Sequence, residues 1–145
     1  MAWLGVNLLA VLVAAVATMI IGFLWYSPLL FARPWMKLMG YDPNDKAKLQ
    51  EMQKGAGKLY GITFVATLVS AFVLAKIVEI STVNQVPYAL KIGFAVWLGF
   101  VMTVQLTDML FSKRPVKLFL INTGYQLVCY LTMAVIVTMW PRQGP

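Results

Sequence analysis

No charged side chain occurs before Arg33. Within that run, Leu4 to Phe31 is almost wholly apolar. At a rise of ~1.5 Å per residue, about 20 helical residues cross the ~30 Å hydrocarbon layer of a bilayer. The run closes on Trp25-Tyr26-Ser27-Pro28-Leu29-Leu30-Phe31, followed by Arg33, Trp35 and Lys37. Aromatic rings at headgroup depth, a helix-stopping proline and then cations mark the exit of a helix from a membrane.

The 145-residue chain cannot build a polar shell. It is 61% hydrophobic and 12% charged, against about 25% charge in a typical soluble domain. Lipid must be its solvent. The length suits a single domain, 1–145, with spans expected at about 4–27, 59–78, 88–111 and 118–140. The expected fold is all-α: a polytopic membrane protein, with four transmembrane helices in an antiparallel bundle and a short cytoplasmic interfacial helix.

Charge sets the orientation. Net charge is +7. Arg33, Lys37, Lys46, Lys48, Lys54 and Lys58 fall in the first loop and Lys113, Arg114 and Lys117 in the third. Only Lys76, Lys91 and Arg142 lie on the other side. This asymmetry predicts cytoplasmic first and third loops and both termini outside. The cations lie in separate loops with no aromatic platform between them, which argues against nucleic acid and for anionic lipid. Met1-Ala2-Trp3-Leu4 lacks the cationic start of a secretory signal, so the first span is expected to be retained.

Small residues recur at every fourth position: Ala10, Ala14, Thr18 and Gly22; Thr63, Thr67, Ala71 and Ala75; and Ala95, Gly99, Thr103 and Thr107. Such stripes let helices approach closely where no hydrophobic drive joins them. The interfacial helix should start with Asp42 as N-cap and Pro43 in its first turn, and run to about Lys54 with Leu49 and Met52 against the bundle. Lys76 and Glu79 can pair on one face, Pro87 can open the third span, and Pro141 can close the fourth.

The polar groups within the spans gather toward the cytoplasmic half. Tyr26 and Ser27 end the first span, Gln105 and Asp108 end the third, and Asn122, Tyr125 and Gln126 begin the fourth. Unpaired polar groups in lipid cost several kcal/mol, so these residues either lock the bundle by hydrogen bonding or line a cytoplasm-facing pocket. Asp108 is one turn from Lys113 and Arg114 and could pair with either. Enzyme chemistry is poorly supported. The chain has no histidine, a single cysteine (Cys129, expected as a small apolar filler), no phosphate-binding glycine loop and no metal-ligand spacing. No cofactor is expected.

Several segments resemble a bacterial family catalogued as domain of unknown function 1761. They are Asn7 with the Ala-rich first helix, Gly22-Phe23-Leu24-Trp25-Tyr26-Ser27-Pro28-Leu29-Leu30-Phe31 with Trp35 and Gly40, Trp97-Leu98-Gly99-Phe100, and Leu118-Phe119-Leu120-Ile121-Asn122-Thr123-Gly124-Tyr125-Gln126-Leu127. The resemblance implies a four-helix bacterial integral membrane protein, here an inner-membrane one, and no particular activity. Two functions are therefore expected: binding or moving a small molecule or ion, as a homo-oligomer, or serving as an accessory or scaffold subunit of a larger membrane complex.

Overall fold

The computed structural model describes residues 2–3, 5–42 and 44–140. Leu4, Pro43, Pro141 and Arg142, and the side chain of Met52, lie outside the described residues, and with them the roles expected for those groups.

Four helices are long and apolar enough to cross a membrane: Leu8–Trp25, Ala56–Ile80, Val86–Ser112 and Val116–Met139. The protein is all-α apart from a two-stranded ribbon, β1 (Ala2–Trp3) against β2 (Val6–Asn7), ahead of the first span. Gly5 turns that ribbon at φ +80, a backbone state open to glycine. A Cβ there would lie 2.8 Å from Glu79 Oε1, so the ribbon sits tightly over the end of the second span. Glu79 is ion-paired with Lys76 at 2.8 Å.

The first span, α1 (Leu8–Trp25), starts at Asn7, whose Oδ1 accepts from the backbone N–H groups of Leu9 and Ala10. This cap shortens the helix relative to the expected start at Leu4. The basic connection then forms two short helices, α2 (Ala32–Leu38) and α3 (Lys46–Lys54). The cap of α3 is Asp45, accepting from Lys48 N, and not Asp42, which instead accepts from Asn44 N in a local turn. The preceding turn therefore takes Asp42, and the helix starts three residues later than the Asp-Pro pair implied.

The second span, α4 (Ala56–Ile80), and the last, α7 (Val116–Met139), are uninterrupted. The third consists of α5 (Val86–Val96), a π-helical turn over Trp97–Met102, and α6 (Thr103–Ser112). Pro87 stands in its first turn. Lys113, at φ +56, ends α6, and a connection of only three residues leads to α7.

Helix α7 is the hub. It packs against α1, α4 and the third span, and α1 packs against α4. The third span leans on α7 and scarcely touches α4, although a short turn joins the two. Adjacency in sequence is therefore not adjacency in space at that hairpin.

The core lies toward the end away from the basic loops. It joins Val6, Val11 and Ala14 to Ala71, Leu74 and Ala75, and to Ala89, Met133 and Ala134. Ala10, Ala14 and Thr18 of the first stripe are buried, and a Cβ on Gly22 would come within 2.9 Å of the Tyr125 hydroxyl. On α4, Ala71 and Ala75 are buried, Thr67 is half-buried and Thr63 is exposed.

The third stripe does not pack within the chain. Ala95, Gly99, Thr103 and Thr107 all face outward, and a Cβ on Gly99 would meet nothing within 4 Å. The buried small residues of that span are Ala89 and Gly93. A Cβ on Gly93 would lie 3.0 Å from the Tyr130 carbonyl oxygen, which marks the closest backbone approach to α7.

Candidate functional site

Asn122 stands at the centre of the candidate residues. Its Oδ1 accepts a 2.7 Å hydrogen bond from the Tyr26 hydroxyl at the end of α1. The α7 backbone on either side is clamped by two indoles: Trp25 Nε1 donates to the Ile121 carbonyl at 3.0 Å, and Trp97 Nε1 to the Thr123 carbonyl at 2.9 Å. An indole N–H in an apolar setting needs an acceptor, and helix carbonyls can take a second bond. Trp25 and Trp97 thus hold α1 and the third span to α7 at one level. Sequence reasoning had assigned neither tryptophan this role; the signal available was an indole donor within an apolar run.

Aromatic contacts extend the cluster outward. The Tyr26 ring meets Tyr125 edge-on at 5.4 Å between centroids and Trp35 at 5.9 Å, and Trp35 reaches Tyr41 at 6.1 Å. Trp25 lies 4.9 Å from Phe31. The Trp-Tyr-Ser-Pro segment therefore folds back onto α7 and positions α2 beside it.

Three recesses surround this cluster. At the basic end, Tyr26, Trp35, Met36, Leu49, Tyr60 and Asn122 are among the residues lining a hollow of about 710 Å³ beneath α2, α3 and the start of α4. No charged side chain lines it. Beside it, Gln105, Asp108, Arg114 and Asn122 border a recess of about 90 Å³, into which Leu118 and Phe119 also project. Deeper between the helices, α1, α4 and α7 border a half-open cavity of about 280 Å³ that Gln126 and Tyr125 line, with Ile62, Thr63 and Ala66 exposed at its rim.

The seven candidate polar residues therefore do not form one pocket. Tyr26, Asn122 and Tyr125 come together. Gln105 and Asp108 join Asn122 only across the smallest recess, and Gln126 belongs to the deep cavity. Ser27 is a correction: its hydroxyl donates to the Leu24 carbonyl, closing the end of α1, and it lines none of these recesses. The expected pairing of Asp108 with Lys113 or Arg114 is also corrected, because among the described residues the ion pair formed is Lys76–Glu79. The left-handed turn at Lys113 redirects the chain immediately after α6 and leaves the Asp108 carboxylate exposed. Among the described residues no three His, Cys, Asp or Glu side chains come together as metal ligands.

The chain belongs to the family described as "Protein of unknown function (DUF1761)", which matches residues 9–138. The match takes in every candidate polar residue and, but for Leu8 and Met139 at their outer ends, all four spans. No curated protein and no solved structure matches it.

Proposed function

With family membership as the premise and no activity attached to it, we propose that this chain is a non-enzymatic protein of the bacterial inner membrane. It binds a small molecule in the hollow at its basic end, which opens toward the cytoplasm, with both termini outside. It works as a homo-oligomer.

The observation that carries this reading is the hollow itself. Its volume of about 710 Å³ falls in the size range of small-molecule sites. Apart from the Gln53 amide its lining is aromatic and aliphatic, with the hydrogen-bonded Tyr26–Asn122 pair as a fixed polar feature. That combination suits a molecule with an apolar body and one or two polar groups, and it disfavours an ion, which would need charged or closely set oxygen ligands. The Arg33, Lys54 and Lys58 cations adjoin lining residues in sequence and favour anionic headgroups around the mouth.

The test is native mass spectrometry of the protein taken from its own membrane into nanodiscs. A non-covalent adduct is expected on the unaltered chain and on Val69→Trp, a bulky change on the outward face of α4. Ala56→Trp, which fills the hollow, is expected to lose it. An adduct retained by Ala56→Trp, or no adduct on any variant, overturns the proposal.

The accessory-subunit reading has one observation of its own. The third span has 11% of its apolar window buried, against 22–28% in the others, so a face remains free for another protein.

A further inference from the structure

Helix α4 buries side chains fully along only half its length, although its Tyr60 ring also meets Phe23 of α1 at 5.4 Å. Its buried residues are Ala71, Leu74, Ala75 and Val78, and none of residues 56–70 is buried. The basic-end half leans away and opens a seam between α4 and α7. The hollow occupies the first part, between Ala56, Leu59 and Tyr60 of α4 and Asn122 of α7. The 280 Å³ cavity occupies the next, between Ile62, Thr63, Ala66, Thr67 and Ser70 of α4 and Tyr125, Gln126, Cys129, Tyr130 and Met133 of α7, with Thr18 of α1 behind. Beyond it the seam is shut by Val11, Ala14, Ala71, Leu74, Ala75, Met133 and Ala134. The Tyr26–Tyr125 ring pair stands between hollow and cavity.

The cavity's chemistry differs from the hollow's. Hydroxyls and an amide are set among apolar groups along its wall, and none of its side chains is acidic or basic like Asp, Glu, Lys or Arg. Some of its groups are satisfied internally: Thr18 Oγ1 donates to the Ala15 carbonyl, Thr67 Oγ1 to the Thr63 carbonyl, and the Tyr125 hydroxyl to the Thr18 carbonyl. Among the described residues, the side chains of Ser70, Gln126 and Tyr130 make no hydrogen bond to protein. At membrane depth a free amide and two free hydroxyls around one space call for a hydrogen-bonding occupant, because acyl chains leave them unsatisfied. A charged occupant would meet no counter-charge there.

We infer that the α1/α4/α7 cavity is a second site, taking a small neutral hydrogen-bonding organic solute that enters from the basic end and goes no further. This rests on the basic-end hollow being open, as proposed above.

Single cysteines in a Cys129→Ala background, reacted with two thiosulfonates, test it: the neutral 2-hydroxyethyl reagent and its trimethylammonium counterpart, each normalised to its rate with free cysteine. Ser70→Cys is nearly isosteric and lines the cavity, Ala56→Cys lines the hollow, and Val69→Cys faces outward from the same helix at 60% exposure. Ala56→Cys is expected to react with both reagents alike. Ser70→Cys is expected to prefer the neutral reagent by at least about tenfold, the cation being disfavoured at that depth, and to react faster than Val69→Cys. Equal rates with the two reagents, or a Ser70→Cys rate no higher than that of Val69→Cys, overturns the inference and leaves the hollow standing. An inert Ala56→Cys overturns the hollow as well. Should Ser70→Cys fail to fold, Thr67→Cys replaces it with the same expectations.

Discussion

The Tyr26 hydroxyl and the Asn122 amide meet because each would be unsatisfied alone. Tyr26 follows directly on an 18-residue apolar helix, Asn122 is within the last span, and both are half-buried at the edge of the hollow. Interhelical hydrogen bonds in membranes average about 0.6 kcal/mol, with a maximum near 1.7, since the separated helices also find partners. The Tyr26–Asn122 bond is accordingly a positioning contact rather than a main source of stability. A double-mutant cycle of Tyr26→Phe and Asn122→Ala, read by reversible unfolding in mixed detergent, should return a coupling of about 0.6 to 1.7 kcal/mol. A coupling indistinguishable from zero would show that Asn122 is held by something else. This contact was only half legible in the sequence. Depth could be read from the position of each residue within its span, and depth brought Tyr26, Asn122 and Tyr125 to one level. Direction could not: Gln126 and Asn122 share a four-residue spacing, yet one borders the deep cavity and the other the hollow. Ser27 shares the depth too, but a short hydroxyl finds its own helix carbonyl first.

The third span shows what periodicity alone can and cannot fix at the level of an element. Its length, its apolar character and its opening at Pro87 follow from composition and the missing proline N–H. Its packed face does not, because the span offers two small-residue rows: Ala89 with Gly93, and Ala95 with Gly99 and Thr103. Trp97 decides between them. Its indole must reach an acceptor, finds the Thr123 carbonyl, and so turns the Gly93 row onto α7. The π turn that begins at Trp97 shifts the register of everything after it, which a strict four-residue count cannot anticipate. Thr103 and Thr107 tolerate the outward face because each hydroxyl bonds the carbonyl four residues earlier. The two glycines should therefore respond differently. Gly93→Ala places a methyl 3.0 Å from the Tyr130 carbonyl oxygen and 3.1 Å from the Ala134 Cβ. It should cost about 1–3 kcal/mol in the same unfolding assay, as overpacking does. Gly99→Ala meets nothing of its own chain within 4 Å and, read on the detergent-separated monomer, should stay within about 0.5 kcal/mol of the parent protein. Equal effects would place the third span wrongly on α7.

At the scale of the molecule, the four spans divide into a packed group of α1, α4 and α7 and a third span attached chiefly to α7. In water the free side of that span would be an aggregation hazard; in a bilayer its Leu98, Phe100 and Val104 are compatible with acyl chains. Gly99 and Thr103 among them offer lipid little contact area. Their known use is close backbone approach to another helix. A two-fold arrangement would place the same row of both copies against each other, and the proposed homo-oligomer needs no surface beyond this one. Gly99→Cys in the Cys129→Ala background should then form a disulfide-linked dimer on mild oxidation in native membranes. Val69→Cys, outward on α4 and 60% exposed, should stay monomeric. Linkage of Gly99→Cys to a polypeptide of different mass would replace self-association with the accessory-subunit reading. If Gly99→Cys remains monomeric while Val69→Cys links, the oligomer is built through α4, across the mouth of the seam, and the third span faces only lipid.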